Sequence, residues 1–340
     1  MSITAGLDVG GAHLKVALIE DGRPIEVAQY LCPLWQGLDK LDAALAEAQP
    51  VLARADRYAI TMTGELSDLF ESRQAGVETL VRYMTGALGS KINFWMGLRG
   101  FGPPDSAFAH HADVGSTNFL ATASLIAKLT TDALLVDFGS TTADVIAIIS
   151  GKPAPLGLTD GARQTSGELV YTGYTRTAVM AVAQNAPFKG EWVSLAREYL
   201  ATMADVRRIL GELDADADLH ATADGRGKSI AESTARLARM LGRDFSEAKA
   251  SQWQLAARHI AEIQMRSIAD AMVQVLSRHP GADLSRLVTA GIGCDVANVL
   301  GHRLGLTPTT FGKITGANGR CSRAATHSAA AVAVGMLLEL

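Results

Sequence analysis

One short unit occurs twice in this chain: an apolar strand, a turn with the pattern Asp-x-Gly, and a second apolar strand. The acid and the glycine are Asp8 and Gly10 in the first copy, and Asp137 and Gly139 in the second. An internal repeat has to be recognised first, because it divides the chain into two halves of one design. Each copy predicts a β-hairpin, and two such turns facing each other would close around one phosphorylated ligand.

The second turn, Gly-Ser-Thr-Thr, has the chemistry of a phosphate cradle. Gly139 permits a positive φ and lets a ligand approach the backbone closely. Successive amides, together with the hydroxyls of Ser140, Thr141 and Thr142, can surround phosphate oxygens. Asp137 stands at the end of the strand and is a candidate ligand for a metal ion or its bound water.

The first turn carries the matching acid, Asp8, followed by Gly10 and Gly11. When the two turns are overlaid, Lys15 corresponds to Asp144, so one turn offers a positive charge where the other offers an acid. A single Asp-x-Gly is a weak signal, since many turns contain one. Two copies between apolar strands are far more specific.

This duplication resembles the signature of the actin-like ATPase, sugar kinase and Hsp70 superfamily, which implies an α/β fold of two RNase H-like subdomains. We expect the first subdomain to comprise residues 1–130 together with a C-terminal helix at 324–340. The second would comprise residues 131–323, including a helical insertion at about 195–278. A length of 340 residues suits about two domains.

Hydrophobic periodicity locates the other elements. Strands are predicted at 3–9, 14–20, 25–31, 58–62, 92–96 and 286–290, with a doubtful one at 310–313. Helices are predicted at 38–55, 74–88, 118–129, 195–211, 228–278 (with 254–277 as one long helix) and 324–338. Residues 97–116 are predicted to form a long loop with Ser116 or Thr117 capping the next helix, and 214–226 to form a solvated loop without the spacing of an EF-hand.

Composition excludes several classes of protein. A net charge of −4 gives no basic surface for nucleic acid or an anionic membrane. No apolar run approaches the ~20 residues that a membrane span needs, and three widely separated cysteines do not form a disulfide framework. We therefore expect a cytoplasmic protein that acts on small molecules, without nucleic-acid or membrane partners; a homodimer is compatible with the sequence.

Three further segments carry candidate site residues. Glu65 follows a predicted strand, at the kind of strand end where ligands bind in open α/β sheets. The polar stretch 159–177 contains Arg163, whose guanidinium suits oxyanions, and Glu168. Gly291 and Gly293 form a turn onto a predicted helix, a place suited to phosphate or a nucleotide.

Several motifs together match a narrower family. They are TMTGEL at 61–66, DFGSTTAD at 137–144, GELVYTG at 167–173 with Arg-Thr at 176–177, ATMADV at 201–206, ADGR at 223–226 and RLARM at 236–240. The chain resembles the hydantoinase/oxoprolinase-related proteins linked to tetrahydromethanopterin-dependent one-carbon transfer, and within them the branch that makes methanofuran and methylofuran. It differs from kinases of the superfamily at His13, where Thr or Ser is common.

The resemblance implies a transferase. Such an enzyme joins an (aminomethyl)furanylmethyl diphosphate to the phenol oxygen of a glutamylated tyramine or tyrosine, and diphosphate leaves as an aryl ether forms. ATP is not expected to be required. The alternative from the same fold is an ATP-dependent small-molecule kinase or ligase, with Gly291 and Gly293 at the adenosine.

The chemistry of a diphosphate leaving group assigns roles to these residues. The phenol, with an ordinary pKa of about 10, needs a base, and Glu65, Asp144 and Glu168 are the candidates. Mg²⁺ binds through one or two carboxylates plus phosphates, and Asp8 and Asp137 would hold it. The diphosphate-binding candidates are Gly10, Gly11, Lys15, Gly139, Ser140, Thr141, Thr142, Arg163, Gly291 and Gly293.

Overall fold

The computed structural model describes residues 2–319 and 321–340. In this part of the chain the strands are β1 (Ile3–Val9), β2 (His13–Glu20), β3 (Arg23–Leu31), β4 (Arg57–Met62), β5 (Ile92–Trp95), β6 (Phe101–Gly102), β7 (Ala133–Phe138), β8 (Ala143–Ile149), β9 (Lys152–Pro153), β10 (Leu169–Val170), β11 (Asn185–Phe188), β12 (Glu191–Ser194), β13 (Arg286–Ala290) and β14 (Thr307–Thr310).

The helices of the same part of the chain are α1 (Asp39–Leu52), α2 (Arg73–Leu88), α3 (Pro104–Ala109), α4 (His111–Val114), α5 (Asn118–Leu129), α6 (Asp160–Ser166), α7 (Val179–Val182), α8 (Met203–Leu210), α9 (Ile230–Met240), α10 (Ala250–Ser277), α11 (Cys294–Arg303), α12 (Phe311–Ile314), α13 (Ser322–His327) and α14 (Ala329–Leu337).

Two sheets share one strand order. In the first, β3-β2-β1-β4-β5-β6, the strand β1 pairs antiparallel with β2 and parallel with β4. In the second, β10-β8-β7-β13-β14, the strand β7 pairs antiparallel with β8 and parallel with β13. An antiparallel hairpin followed by parallel strands is thus built twice, and the predicted fold of the actin-like ATPase, sugar kinase and Hsp70 superfamily is confirmed.

The register of the two hairpins is equivalent residue by residue. Asp8 pairs with Lys15 across β1 and β2, and Asp137 pairs with Asp144 across β7 and β8. The overlay of the two turns that the sequence predicts is therefore also a structural equivalence. It places a lysine and an acid at corresponding positions of the two turns.

The helix α14 joins the two halves of the molecule. It is rich in alanine, so it packs closely on β1 and β2 and against α5. Its residues Val332 and Val334 lie in one buried cluster with Ile19 of the first sheet and Leu135 of the second. The division of the chain near residue 130 stays a prediction.

A second buried cluster belongs to the region after residue 178. Helices α8, α9 and α10 pack together around Trp253, with the hairpin β11–β12 against α10. The helix α9 begins with a capping box, in which Ser229 and Glu232 exchange hydrogen bonds with each other's backbone amides. Among the described residues, no helix is both long and apolar enough to span a membrane.

Most predicted elements are confirmed within a few residues, and several predictions are wrong. Residues 241–249 separate α9 from α10, so 228–278 is not one continuous helical segment. Residues 97–116 contain α3 and α4 rather than one long loop, since Pro104 starts α3 at a position proline favours. Residues 195–202 are not helical. The doubtful strand at 310–313 lies mainly in α12, and the closing helix is two helices that meet at Ser328.

Ser116 and Thr117 do not cap α5 as predicted. Thr117 occupies the N-cap position, but no side-chain hydrogen bond caps the helix, and the Thr117 hydroxyl donates back to the carbonyl of Val114 at 2.9 Å. Ser116 instead faces the cavity described below, with a backbone φ of +53°.

Candidate functional site

The two hairpin turns face one cavity of about 460 Å³. Both halves of the chain contribute to its wall. Of the residues predicted to form the site, those that line the cavity are Asp8, Gly10, Gly11, Lys15, Asp137, Gly139, Ser140, Thr141, Thr142, Asp144 and Arg163. The structure therefore brings both Asp-x-Gly turns together, at the place where the sequence predicts a phosphorylated ligand.

The two turns close in the same way. The amide of Gly10 donates to the carbonyl of His13 at 3.0 Å, and the amide of Gly139 donates to that of Thr142 at 2.9 Å. These two glycine amides are therefore engaged within their own turns, although the sequence suggested them as donors to phosphate. The cradle is left to the neighbouring amides and hydroxyls, above all those of Ser140 and Thr141.

A segment at 173–176 crosses the second turn. The amide of Tyr174 donates to the carbonyl of Gly139 at 2.9 Å, and that of Arg176 donates to the carbonyl of Ser140 at 3.0 Å. A Cβ on Gly173 would lie 2.0 Å from the Ser140 carbonyl oxygen, so glycine is required for this close approach.

The crossing segment positions Arg176 in the cavity. Its guanidinium donates to the Thr141 hydroxyl at 3.1 Å. No carboxylate lies within ion-pair distance of Arg176 in the part of the chain that the structure describes. Sequence reasoning noted the polar segment around Arg176 but did not select this residue, since nothing local distinguishes it from Arg163.

Arg163, by contrast, is committed to two acids through its terminal nitrogens, and its Nε atom is buried without a hydrogen-bond partner among the described residues. Its guanidinium forms ion pairs with Asp144 and, at 2.9 Å, with Asp160, and it lies 3.8 Å from the centre of the Phe119 ring. The side chain is buried. Arg163 therefore orients Asp144 and has little capacity left for a second anion.

The floor of the cavity is acidic. Asp8 lies 3.5 Å from the Lys15 ammonium group, yet burial raises the pKa of its carboxyl group, and this outweighs the lysine. Asp137 forms no ion pair with any of the described residues; burial, followed by the charge of Asp144, raises its pKa to about 7. Asp8 and Asp137 are thus neighbouring acids in a buried space, and a positive charge placed between them would be favoured.

The donor set at this floor fits a magnesium ion. The Oδ1 atom of Asp8 is buried without a hydrogen-bond partner among the described residues. Carboxylate oxygens are the ligands that Mg²⁺ prefers, with phosphate oxygens and waters completing the shell. No cluster of three or more His, Cys, Asp or Glu side chains suited to a metal occurs in residues 2–319 and 321–340, so Asp8 and Asp137 would need such outside ligands.

Several predicted residues lie behind the cavity wall. Glu65 is buried and accepts a hydrogen bond from Ser116. The carboxylate of Glu168 accepts from the backbone amides of Leu156 and Gly157, so it anchors the chain before α6 rather than facing the cavity.

Gly291 and Gly293 are also outside the cavity. Their amides donate to the carbonyls of Thr326 and Phe138, both at 2.8 Å. These donors are therefore already used by the protein, and the glycines support the Phe138 end of the β7 strand. A role for Gly291, Gly293 or Glu168 in binding or catalysis stays a prediction that the geometry does not favour.

An aromatic cluster at the mouth of the cavity was not predicted from the sequence. Trp35, from the first half, lies between Arg176, 4.9 Å from its ring centre, and the stacked ring of His220 at 5.9 Å. His220 also meets His13 edge-on at 4.6 Å. Burial, and then Arg176, lowers the pKa of His220 to about 4, so this imidazole is neutral at pH 7.

This cluster corrects the prediction of a solvated loop at 214–226. The loop carries His220 onto the first half of the chain, where it contacts Trp35 and His13. The three residues are far apart in sequence, so no local pattern marks them.

Comparison with known proteins agrees with this architecture. A hydantoinase/oxoprolinase family model matches residues 56–318. A relative from Methanocaldococcus jannaschii, named (4-{4-[2-(gamma-L-glutamylamino)ethyl]phenoxymethyl}furan-2-yl)methanamine synthase, is 29% identical over 292 residues, covering 86% of this chain and 86% of the relative. A protein of the same name from Methanococcus vannielii is 29% identical over 168 residues, which are 48% of this chain and 72% of that protein.

The fold also occurs among solved structures. The chain is similar to the nucleotide-free structure of acetone carboxylase, which carries out ATP-dependent acetone carboxylation, with a TM-score of 0.51 and 12% identity. The match covers 90% of this chain and 68% of that one. At this identity the likeness concerns the fold alone.

Proposed function

The chain belongs to the hydantoinase/oxoprolinase family, and on that premise we propose that it is a synthase in the biosynthesis of a methanofuran-type coenzyme. In the proposed reaction the methylene carbon of an (aminomethyl)furanylmethyl diphosphate is joined to the phenol oxygen of a glutamylated tyramine or tyrosine. The carbon–oxygen bond to diphosphate breaks, the aryl ether forms, and the phenol loses its proton.

The names of the two archaeal relatives support this proposal. Each name describes a phenol oxygen linked through a methylene group to a furan that carries a methanamine. Forming such a link requires a leaving group on the methylene carbon, and diphosphate is one that a cradle of amides, hydroxyls and cations can stabilise.

The observation that carries the proposal is the position of Arg176. Its guanidinium lies on the hydroxyl of Thr141, in the middle of the second turn, and has no carboxylate partner among the described residues. Across the cavity, Lys15 belongs to the equivalent hairpin. A diphosphate between the two turns would meet one cation from each half, and a guanidinium forms strong, directed hydrogen bonds with phosphate oxygens.

These residues would act mainly by holding charge. Diphosphate departure leaves a cation on the methylene carbon that the furan ring delocalises. Lys15 and Arg176 then hold the departing anion, while Trp35 at the mouth restricts the access of water. Positioning the phenol oxygen against the methylene carbon supplies much of the remaining rate.

Magnesium is part of the proposal. Asp8 and Asp137 would hold it, and when bound it would neutralise charge on the diphosphate. The carboxyl group of Asp137, with its pKa raised to about 7 by burial and by Asp144, would then remain ionised at neutral pH. ATP has no part in this reaction.

The proposal is tested with the purified protein, Mg²⁺, the furanylmethyl diphosphate and glutamylated tyramine or tyrosine, with and without ATP. Mass spectrometry follows the ether, and a phosphate assay coupled to inorganic pyrophosphatase follows diphosphate. We expect equal amounts of ether and diphosphate without ATP. Absence of the ether, with ADP formed from ATP in the presence of an acceptor, would overturn the proposal in favour of a kinase or ligase.

A further inference from the structure

Ser116 has a strained backbone at the wall of the cavity. Its φ of +53° lies in the left-handed region, which residues other than glycine rarely adopt. The strained conformation directs this serine into the cavity wall, between the helices α4 and α5. Strain of this kind persists where the surrounding structure enforces it, often at functional sites.

The hydroxyl of Ser116 is hydrogen-bonded to a buried acid. It donates to Oε1 of Glu65 at 2.6 Å, and Glu65 is only 1% exposed. The other carboxylate oxygen, Oε2, is buried without a partner in residues 2–319 and 321–340. The nearest cation, Arg73, lies 3.5 Å from Oε1 and directs its terminal nitrogen to the carbonyl of Gly115 at 2.7 Å.

The surroundings favour a carboxyl group that readily accepts a proton. Burial raises the pKa of Glu65, and the charge of Asp160 acts in the same direction. The hydrogen bond from Ser116 and the charge of Arg73 oppose this shift without cancelling it. An acid with a raised pKa is a stronger base once it is ionised.

The protein backbone makes room for this acid. A Cβ on Gly115 would lie 2.8 Å from Oε1 of Glu65 and 3.0 Å from Nε of Arg73. Any side chain at position 115 would therefore displace the carboxylate or its cation. The arrangement of Glu65, Arg73 and Ser116 depends on this glycine.

The direction of the hydrogen bond fixes what Ser116 offers to a ligand. Its proton points to Glu65, so its oxygen presents only lone pairs to the cavity. The ligand group that fits is a hydrogen-bond donor, such as a phenol hydroxyl. The other two acids that the sequence predicts as the base are committed elsewhere: Asp144 to Arg163, and Glu168 to backbone amides.

We propose that Ser116 is the residue that accepts the phenol proton, and that Glu65 takes up the proton of Ser116 in the same step. This inference rests on the proposed function. As the phenol oxygen bonds to the methylene carbon, its proton passes to the Ser116 oxygen while the proton of Ser116 passes to the Glu65 carboxylate. Charge and atoms balance, with one proton gained by Glu65 and diphosphate as the leaving group.

The test varies the acidity of the acceptor. Wild-type protein, Ser116→Gly and Glu65→Gln are assayed with the ordinary phenol and with a ring-fluorinated phenol that is ionised at the assay pH. Glycine accepts the φ of +53°, so Ser116→Gly removes the hydroxyl without adding strain. Ser67→Ala is the matched control, because Ser67 lines the same cavity and its hydroxyl has no hydrogen bond to an acid among the described residues.

With the ordinary phenol we expect kcat to fall about 100-fold or more in both variants. With the ionised phenol the loss should shrink to a few-fold, since no proton remains to be removed. Any loss in Ser67→Ala should be the same for both acceptors.

Equal losses with the two acceptors, or a wild-type kcat in Ser116→Gly, would overturn the inference while leaving the proposed function intact. A wild-type protein that forms no ether from either acceptor would instead reject the proposed function, and this inference with it.

Discussion

Asp137 and Asp144 stand directly opposite each other across the hairpin β7–β8. In the equivalent hairpin the same two positions hold Asp8 and Lys15, which form an ion pair. The duplicated unit has therefore kept its backbone and changed its charge. Arg163 compensates Asp144, and Asp137 is left as the acid without a cationic partner in the part of the chain described here.

This relationship predicts that Asp137 destabilises the free protein at neutral and higher pH. Its pKa is about 7 in the folded state, against an ordinary value of 3.8. Between these two values the folded state holds a proton that the unfolded state has lost. The free energy of unfolding therefore falls as pH rises from 4 to 7, and the penalty is complete above pH 7.

Asp137→Asn should consequently have a higher free energy of unfolding than the wild type at pH 8, by roughly 1–3 kcal/mol. The difference should vanish near pH 4. The same variant should lose synthase activity, because Asn is a poor substitute for a carboxylate on a metal. Denaturant titrations at the two pH values measure this difference, with Asp105→Asn as a control at an exposed acid. An Asp137→Asn protein less stable than the wild type at pH 8 would contradict the prediction.

Magnesium and pyrophosphate together should stabilise the wild-type protein. A ligand at 100 times its Kd raises the free energy of unfolding by about 2.7 kcal/mol. Since Asp8 and Asp137 are the proposed ligands, Asp8→Asn and Asp137→Asn should lose the part of the stabilisation that depends on Mg²⁺. Thermal unfolding with Mg²⁺ or with EDTA measures this; an unchanged Mg²⁺ effect in both variants would remove these acids from the metal site.

Arg176 and Arg163 should behave differently when each is replaced by alanine. Arg176→Ala should raise the Kd for pyrophosphate about tenfold or more, with little change in stability, because Arg176 has no carboxylate partner among the described residues that would be left unpaired. Arg163→Ala leaves the acids Asp144 and Asp160 without their cation. It should lower the free energy of unfolding by about 3–5 kcal/mol.

Calorimetric titration with pyrophosphate and denaturant unfolding separate the two arginines. If Arg163→Ala had normal stability but bound pyrophosphate tenfold more weakly, Arg163 and not Arg176 would be the arginine that binds the diphosphate. That result would favour the simpler expectation from the sequence, in which Arg163 binds the diphosphate.

The turns were predictable because their information is local. Strand, acid, glycine and hydroxyls follow one another within 132–149, and the same order recurs near the N-terminus. The hairpin register then follows from turn length, so even the correspondence of Lys15 with Asp144 was visible. Such features depend on periodicity and turn chemistry, which act over a few residues.

The remaining features depend on contacts between distant segments. Arg176 and Arg163 look alike in sequence, and only the packing of α6 shows that Asp144 and Asp160 engage one of them. Gly291 and Gly293 resemble a nucleotide turn, but their amides donate to carbonyls that belong to other segments. Hydrogen-bond satisfaction of this kind is decided by tertiary structure.

Trp35 is expected to hold the mouth of the cavity closed. It contacts Arg176 and His220 of the second half, and His13 is a second residue of the first half that contacts His220. Trp35→Ala should loosen the loop that carries His220, so amide hydrogen exchange at 213–224 should accelerate and KM for both substrates should rise several-fold. Trp192→Ala, at an exposed tryptophan on β12, should change neither quantity; unchanged exchange in Trp35→Ala would show that the loop is held by other contacts.

Gly173→Ala should push the crossing segment and the second turn apart, and so displace the phosphate cradle. The new Cβ would lie 2.0 Å from the Ser140 carbonyl, so the crossing segment or the turn has to move. Overpacking of this kind costs about 1–3 kcal/mol, and it would withdraw Arg176 and Thr141 from the diphosphate together. Pyrophosphate binding should therefore weaken more in Gly173→Ala than in Arg176→Ala. Gly161→Ala is the control, since nothing lies within 4 Å of its Cβ; wild-type binding by Gly173→Ala would show that this contact does not hold the cradle in place.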